Sequence, residues 1–67
     1  MMSNAEICEI IDSYVRGRNA ERNRMLLKRR IIDGITLEAL AEEFDISVTQ
    51  VKRILQQNLP LVRRLST

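Results

Sequence analysis

A chain of 67 residues is one small domain, and no low-complexity tract or internal repeat argues for a second. With two glycines, one proline and two aromatic residues, the composition disfavours a turn-rich β fold and a base-stacking platform for single strands. Histidine is absent and Cys8 is the single cysteine, which excludes a Cys/His zinc set, a histidine-based triad and an internal disulfide, and favours a reducing, cytoplasmic setting.

The net charge of +2 does not identify a partner, but its distribution is uneven. Seven of the eleven basic residues lie between Arg16 and Arg30, and four of the nine acids lie between Glu38 and Asp45. No apolar run is long enough for a signal peptide or a membrane span. No glycine-rich phosphate loop or spaced acidic pair is present either, so neither catalysis nor a cofactor or metal is expected.

In chain order, Ser3-Asn4-Ala5-Glu6 forms a capping box, with Met2 and Ile7 placed to staple across it. Ile7, Ile10, Ile11, Tyr14 and Val15 then recur at helical spacing up to Gly17, predicting a first helix over about residues 4–16. Cys8 sits at the edge of that stripe as a small packing residue. Asn19 is positioned to cap a second helix ending before Gly34. Its apolar residues fall on two sides, Ala20, Leu27 and Ile31 on one and Met25 and Ile32 on another, as suits a central helix touched twice. Which of Arg22, Arg24, Lys28, Arg29 and Arg30 would face a ligand stays open, and a solvated basic face is the competing reading.

The stretch Thr36 to Leu55 admits two readings. Leu37, Ala41, Phe44, Val48, Val51 and Leu55 step by alternating fours and threes, a heptad seam suited to one straight helix. Against this, Thr36 is an N-cap with Ile35 and Leu40 as its staple, and Ser47-Val48-Thr49-Gln50 is a second capping box stapled by Ile46 and Val51. A straight helix has no use for a cap at Ser47. The preferred reading is therefore two helices within residues 36–57, broken at Asp45-Ile46-Ser47, with Ile46 buried and Val48 exposed. Pro60 then ends or kinks the second of them after about residue 57. A short helical tail over 60–66 follows, with Leu61, Val62 and Leu65 on one side and Arg63 and Arg64 outward.

The expected fold is all-α, a small orthogonal bundle of four to five helices forming one domain over 1–67 and containing a helix-turn-helix. A core of this size supplies only about 3–5 kcal/mol, and the first helix and the tail are where apolar surface would pair two copies as a homodimer. In a helix-turn-helix the second helix enters the major groove of double-stranded DNA while the first crosses the backbone. On that basis Val48 would meet a thymine methyl, Thr49 a base edge and Gln50 an adenine, although Gln50 is also needed for its cap. Lys52 and Arg53 would take phosphates or a guanine. The helix ends at Thr36 and Ser47 would offer backbone N–H groups to phosphate, with Arg29 and Arg30 as further candidate phosphate contacts.

Residues 20–57 resemble the helix-turn-helix of region four of bacterial sigma factors and of small sigma-like regulators. The resemblance is carried by Thr36, Leu37, Glu38, Leu40, Ala41, Phe44, Asp45, Ile46 and Ser47, by Val51 and Ile54, and by the lead-in "RRIIDG" from Arg29 to Gly34. Two features depart from that family: Asp45 replaces the usual turn glycine, and Val48, Thr49 and Gln50 replace charged residues. The resemblance implies a regulator of transcription. An alternative of another class is a non-enzymatic adaptor binding RNA polymerase or another transcription protein through the acidic Glu38, Glu42 and Glu43. The capping box at Ser3 favours a free-standing domain over a fragment of a larger factor.

Overall fold

The computed structural model describes residues 3–65 as four helices with no strand among them: α1 (Asn4–Tyr14), α2 (Ala20–Ile31), α3 (Leu37–Phe44) and α4 (Val48–Leu65). Both α2 and α4 pack against every other helix, while α1 and α3 do not meet. The core is therefore a wedge between α2 and α4, closed by α1 on one side and α3 on the other. Ile11, Leu26, Leu27, Leu40 and Val51 are fully buried in it, one or two from each helix.

The N-terminal cap is as the sequence predicts. Glu6 N–H donates to Ser3 Oγ at 3.2 Å, and Ser3 N–H donates back to Glu6 Oε1 at 3.4 Å. Met2, the other half of the expected staple, lies outside the described residues. The end of α1 differs from expectation. The helix stops at Tyr14, Val15 turns into extended backbone, and the buried side chain is Val15 while Tyr14 stays 54% exposed. Two basic side chains satisfy carbonyls that this early stop leaves open. Arg16 Nε donates to Ser13 O at 2.9 Å, and Arg24 Nε reaches from α2 to Val15 O at 2.7 Å.

Asn19 occupies the position before α2 but makes no side-chain cap. It adopts the left-handed region at φ 60°, which asparagine tolerates better than most residues. Within α2 the adjacent Leu26 and Leu27 are both fully buried, which one helix achieves only when neighbours cover it on two sides. The second buried side is carried by Leu26, not by Met25, which is 54% exposed. Ala20, Ile31 and Ile32 are half-buried.

The break between α3 and α4 is real. Thr36 Oγ1 accepts from Ala39 N–H at 3.2 Å to start α3. At its other end Asp45 takes φ 56°, ψ 47°, with Asp45 N–H to Glu42 O at 3.3 Å and Ile46 N–H to Ala41 O at 3.0 Å. Those paired bonds make a Schellman motif, in which the residue after the left-handed one packs back on the helix it leaves. Ile46 does so, but it is half-buried rather than buried, and Val48 is half-buried rather than exposed. Flanking so short a turn, both residues reach the same edge of the core, and Ser47 between them points outward.

Pro60 does not end α4, which runs unbroken to Leu65, so the expected tail over 60–66 is the helix's last turns and not a fifth helix. Its last expected residue, Ser66, lies outside the described residues. A proline inside a helix removes one hydrogen bond and crowds the preceding turn. Tertiary packing outweighs that cost here, because Val62 beyond it is buried and Leu59 packs against the core. The stripe of α1 and the end of α4 both join the intramolecular core through Ile11, Val15 and Val62. Ile7, Ile10 and Leu61 remain half-buried and Tyr14 exposed.

Candidate nucleic-acid interface

One face of α4 is committed to the core through Val51, Ile54 and Leu55. The opposite face exposes Thr49, Gln50, Lys52, Arg53, Gln56 and Gln57, and α4 contains no acidic residue at all. The segregation follows from helical spacing and leaves a polar, cationic ridge behind a capped N-terminus.

That cap constrains what Gln50 can do. Gln50 N–H donates to Ser47 Oγ at 3.1 Å, and Gln50 Oε1 accepts from Ser47 N–H at 3.0 Å. A bidentate pair with adenine needs both the amide oxygen and the amide nitrogen. With the oxygen engaged, Gln50 has its NH₂ group left to donate outward. Thr36 is exposed at the start of α3, but its hydroxyl is engaged with Ala39 and the acidic Glu38 shares that first turn.

The basic segment from Arg16 to Arg30 divides sharply. Five of its seven cations hold the fold together, beginning with Arg16 and Arg24 at the end of α1. Lys28 Nζ pairs with Asp12 of α1 at 2.8 Å. Arg29 bridges Asp33 at 3.0 Å and Glu43 of α3 at 2.7 Å. Arg30 Nη1 donates to Ile35 O at 2.9 Å across the α2–α3 connection. Arg29 and Arg30, the candidate phosphate contacts read from the sequence, therefore have structural partners. The Arg29 hydrogen bonds hold the Glu43 carboxyl below the usual carboxylate range.

The remaining two, Arg18 and Arg22, lie beside the cationic ridge of α4. The start of α2 and the outer face of α4 enclose a cleft of about 210 Å³ lined by Arg18, Arg22 and Arg53, with Asn23, Gln50 and Gln57 between them. No carboxylate lines it. The uncapped N-terminal end of α2 at Asn19 opens onto the same cleft, adding the positive end of a helix dipole. Sequence reasoning joined Gln50 and Arg53 to the site but missed Arg18, Asn23 and Gln57, because their association is tertiary.

The sequence that builds this capped outward helix behind a left-handed turn also matches a family model. The model for the helix-turn-helix domain of resolvase matches residues 17–58. The chain belongs to that family. It is a DNA-binding helix-turn-helix domain, and the sigma resemblance holds at that coarser level. No curated protein and no solved structure matches the chain. The matched segment starts at Gly17, so the resolvase-type domain takes in the basic segment from Arg18 onward, α2, the cleft, α3 and α4 as far as Asn58. No helix among the described residues is long and apolar enough to cross a membrane.

Proposed function

We propose that this resolvase-type domain binds double-stranded DNA sequence-specifically, with α4 in the major groove, and regulates transcription. The observation that supports this reading is the acid-free outward face of α4. It sets Thr49 in the first turn, where a recognition helix reaches base edges, and Lys52 and Arg53 a turn later, toward the groove walls. Half-buried Val48 offers only part of its side chain to a thymine methyl, which leaves Thr49 as the principal reader. The sigma-like pattern from Thr36 to Ser47 is what favours a role at promoters. We read the domain as non-catalytic and without a cofactor, since it has no histidine and one half-buried thiol. On this reading the domain acts in the reducing setting of the cytoplasm, which its single unpaired thiol suits.

The test is a binding titration against random duplex DNA over a range of salt, followed by selection of preferred sites. Binding that weakens steeply with salt, together with enrichment of one short site, is expected. Absence of binding at low salt removes the reading.

A second reading has one observation in its favour. Exposed Met25 and half-buried Phe44 line a groove of about 430 Å³ edged by Glu21, Arg22 and Glu43. Methionine at a groove adapts to varied apolar partners. A non-enzymatic adaptor gripping RNA polymerase or another transcription protein would use this groove. Direct binding to polymerase, abolished by Met25→Glu and indifferent to Thr49→Ala, would favour it.

A further inference from the structure

The geometry points to the cleft between the start of α2 and α4 as a phosphate-binding site, in which Arg18, Arg22 and Arg53 grip a backbone phosphate of the DNA strand flanking α4. The source of that phosphate rests on the DNA reading above; the phosphate chemistry does not.

Three arginines line a space of about 210 Å³ with no carboxylate among the lining residues. Elsewhere in the domain the cations of the basic segment have partners: Lys28 is tied to Asp12, and Arg29 to Asp33 and Glu43. The absence of neutralisation at this one cleft is thus a local departure from how the fold treats its charges. Arg18 and Arg53 make no ion pair among the described residues. Among the described residues Arg22 donates to the neutral Asn23 Oδ1, at 3.2 and 3.3 Å, which orients its guanidinium without cancelling its charge.

The chemistry selects the ligand class. Guanidinium groups present planar, paired donors that match phosphate oxygens, and their charge does not titrate away. The amide groups of Asn23 and Gln57 add neutral donors beside them. Position selects the source. Gln50 and Arg53 belong both to the cleft and to the outward ridge of α4, so a strand lying along that ridge passes over the cleft. Phosphate contacts fix the register of a protein on the duplex. The clamp would set how α4 is seated, using α2 as a second point of attachment.

The deciding experiment measures duplex affinity against salt for the unaltered chain, Arg18→Gln, Arg22→Gln and Lys28→Gln, with helical content and thermal midpoint checked for each. Lys28→Gln removes one charge from α2 away from the cleft and controls for net charge. Each clamp variant should lower the salt slope by about 0.9, which makes binding about 3- to 4-fold less sensitive to a rise from 50 to 200 mM salt. Its discrimination between best and random sites should be unchanged, and Lys28→Gln should keep the original slope. If the unaltered chain binds DNA and both clamp variants keep its affinity and slope, the clamp is overturned and the DNA reading survives. If the unaltered chain fails to bind duplex at low salt, the DNA reading falls, and sodium phosphate followed by amide shifts over residues 18–23 decides the cleft. Saturable shifts that vanish in Arg22→Gln leave a phosphate site with a free anion as its source; their absence overturns it.

Discussion

Ser47 and Gln50 satisfy one another: each backbone N–H is held by the other's side-chain oxygen, at 3.0 and 3.1 Å. A residue that looks from sequence like an adenine reader is thereby part of the scaffold that starts α4. Ser47→Ala removes half of the box and should lower unfolding free energy by about 0.5–2 kcal/mol in chemical denaturation. It leaves the Gln50 backbone N–H without its side-chain acceptor, while the N–H of residue 47 still holds Gln50 Oε1. An unchanged denaturation midpoint would mean that the box contributes nothing to stability.

Asp45 sits at φ 56° where the Schellman turn favours glycine. Asp45→Gly should relieve the left-handed strain and raise stability by up to about 1 kcal/mol, whereas Asp45→Val should destabilise, because β-branched residues resist that region. Urea midpoints for the two variants lying on the same side of the unaltered chain would contradict the turn geometry.

The contrast between Leu26 and Met25 gives a test of the core. Leu26→Ala removes a fully buried side chain and should cost about 2–5 kcal/mol. Met25→Ala, at a position 54% exposed, should stay within about 0.5 kcal/mol of the original. Comparable losses by calorimetry would place α2 in a different rotation.

What was legible in the sequence and what was not divides along the range of the interaction. Ser3, Thr36, Ser47 and the left-handed Asp45 were legible because capping and turn chemistry act over three or four residues. The break they impose holds against a heptad seam that, taken alone, favoured one straight helix. Leu26 was not legible, since which face of α2 is buried depends on where α1, α3 and α4 dock. Pro60 misled because local propensity argued for an end while the burial of Val62 carried the helix through. The interface was half legible: the face of α4 follows from spacing, but the roles of Arg18 and Arg29 depend on partners such as Arg53 and Glu43 that are distant in sequence.

The Arg29–Glu43 pair joins α2 to α3, and it makes part of the stability depend on pH. Glu43 has a lower pKa in the folded state than in the unfolded chain. Its contribution is therefore complete above the ordinary glutamate range and fades as pH falls through the lowered folded value. The pair is solvent-exposed, so the effect is small and screened by salt. Glu43→Gln should be less stable than the original at neutral pH and converge with it on acidification. A gap that persists or widens in acid would assign the stabilisation to something other than this ion pair.

Thr49 and Lys52 share the exposed face of α4, and the groove assignment requires them to behave differently. Thr49 lies in the first turn, nearest the base edges, and its hydroxyl both donates and accepts. Lys52 follows a turn later as a strongly hydrated point charge, suited to a phosphate on the groove wall. Lys52→Ala should weaken binding to all duplexes about equally and lower the salt slope by about one unit. Thr49→Ala should leave the slope in place and narrow the gap between the preferred site and random DNA, by about 1–3 kcal/mol if the contact is a specific one. Competition titrations at two salt concentrations separate these outcomes. Uniform affinity loss in both variants would make α4 an electrostatic grip without sequence readout. If neither variant changed binding, α4 would not be the helix in the groove.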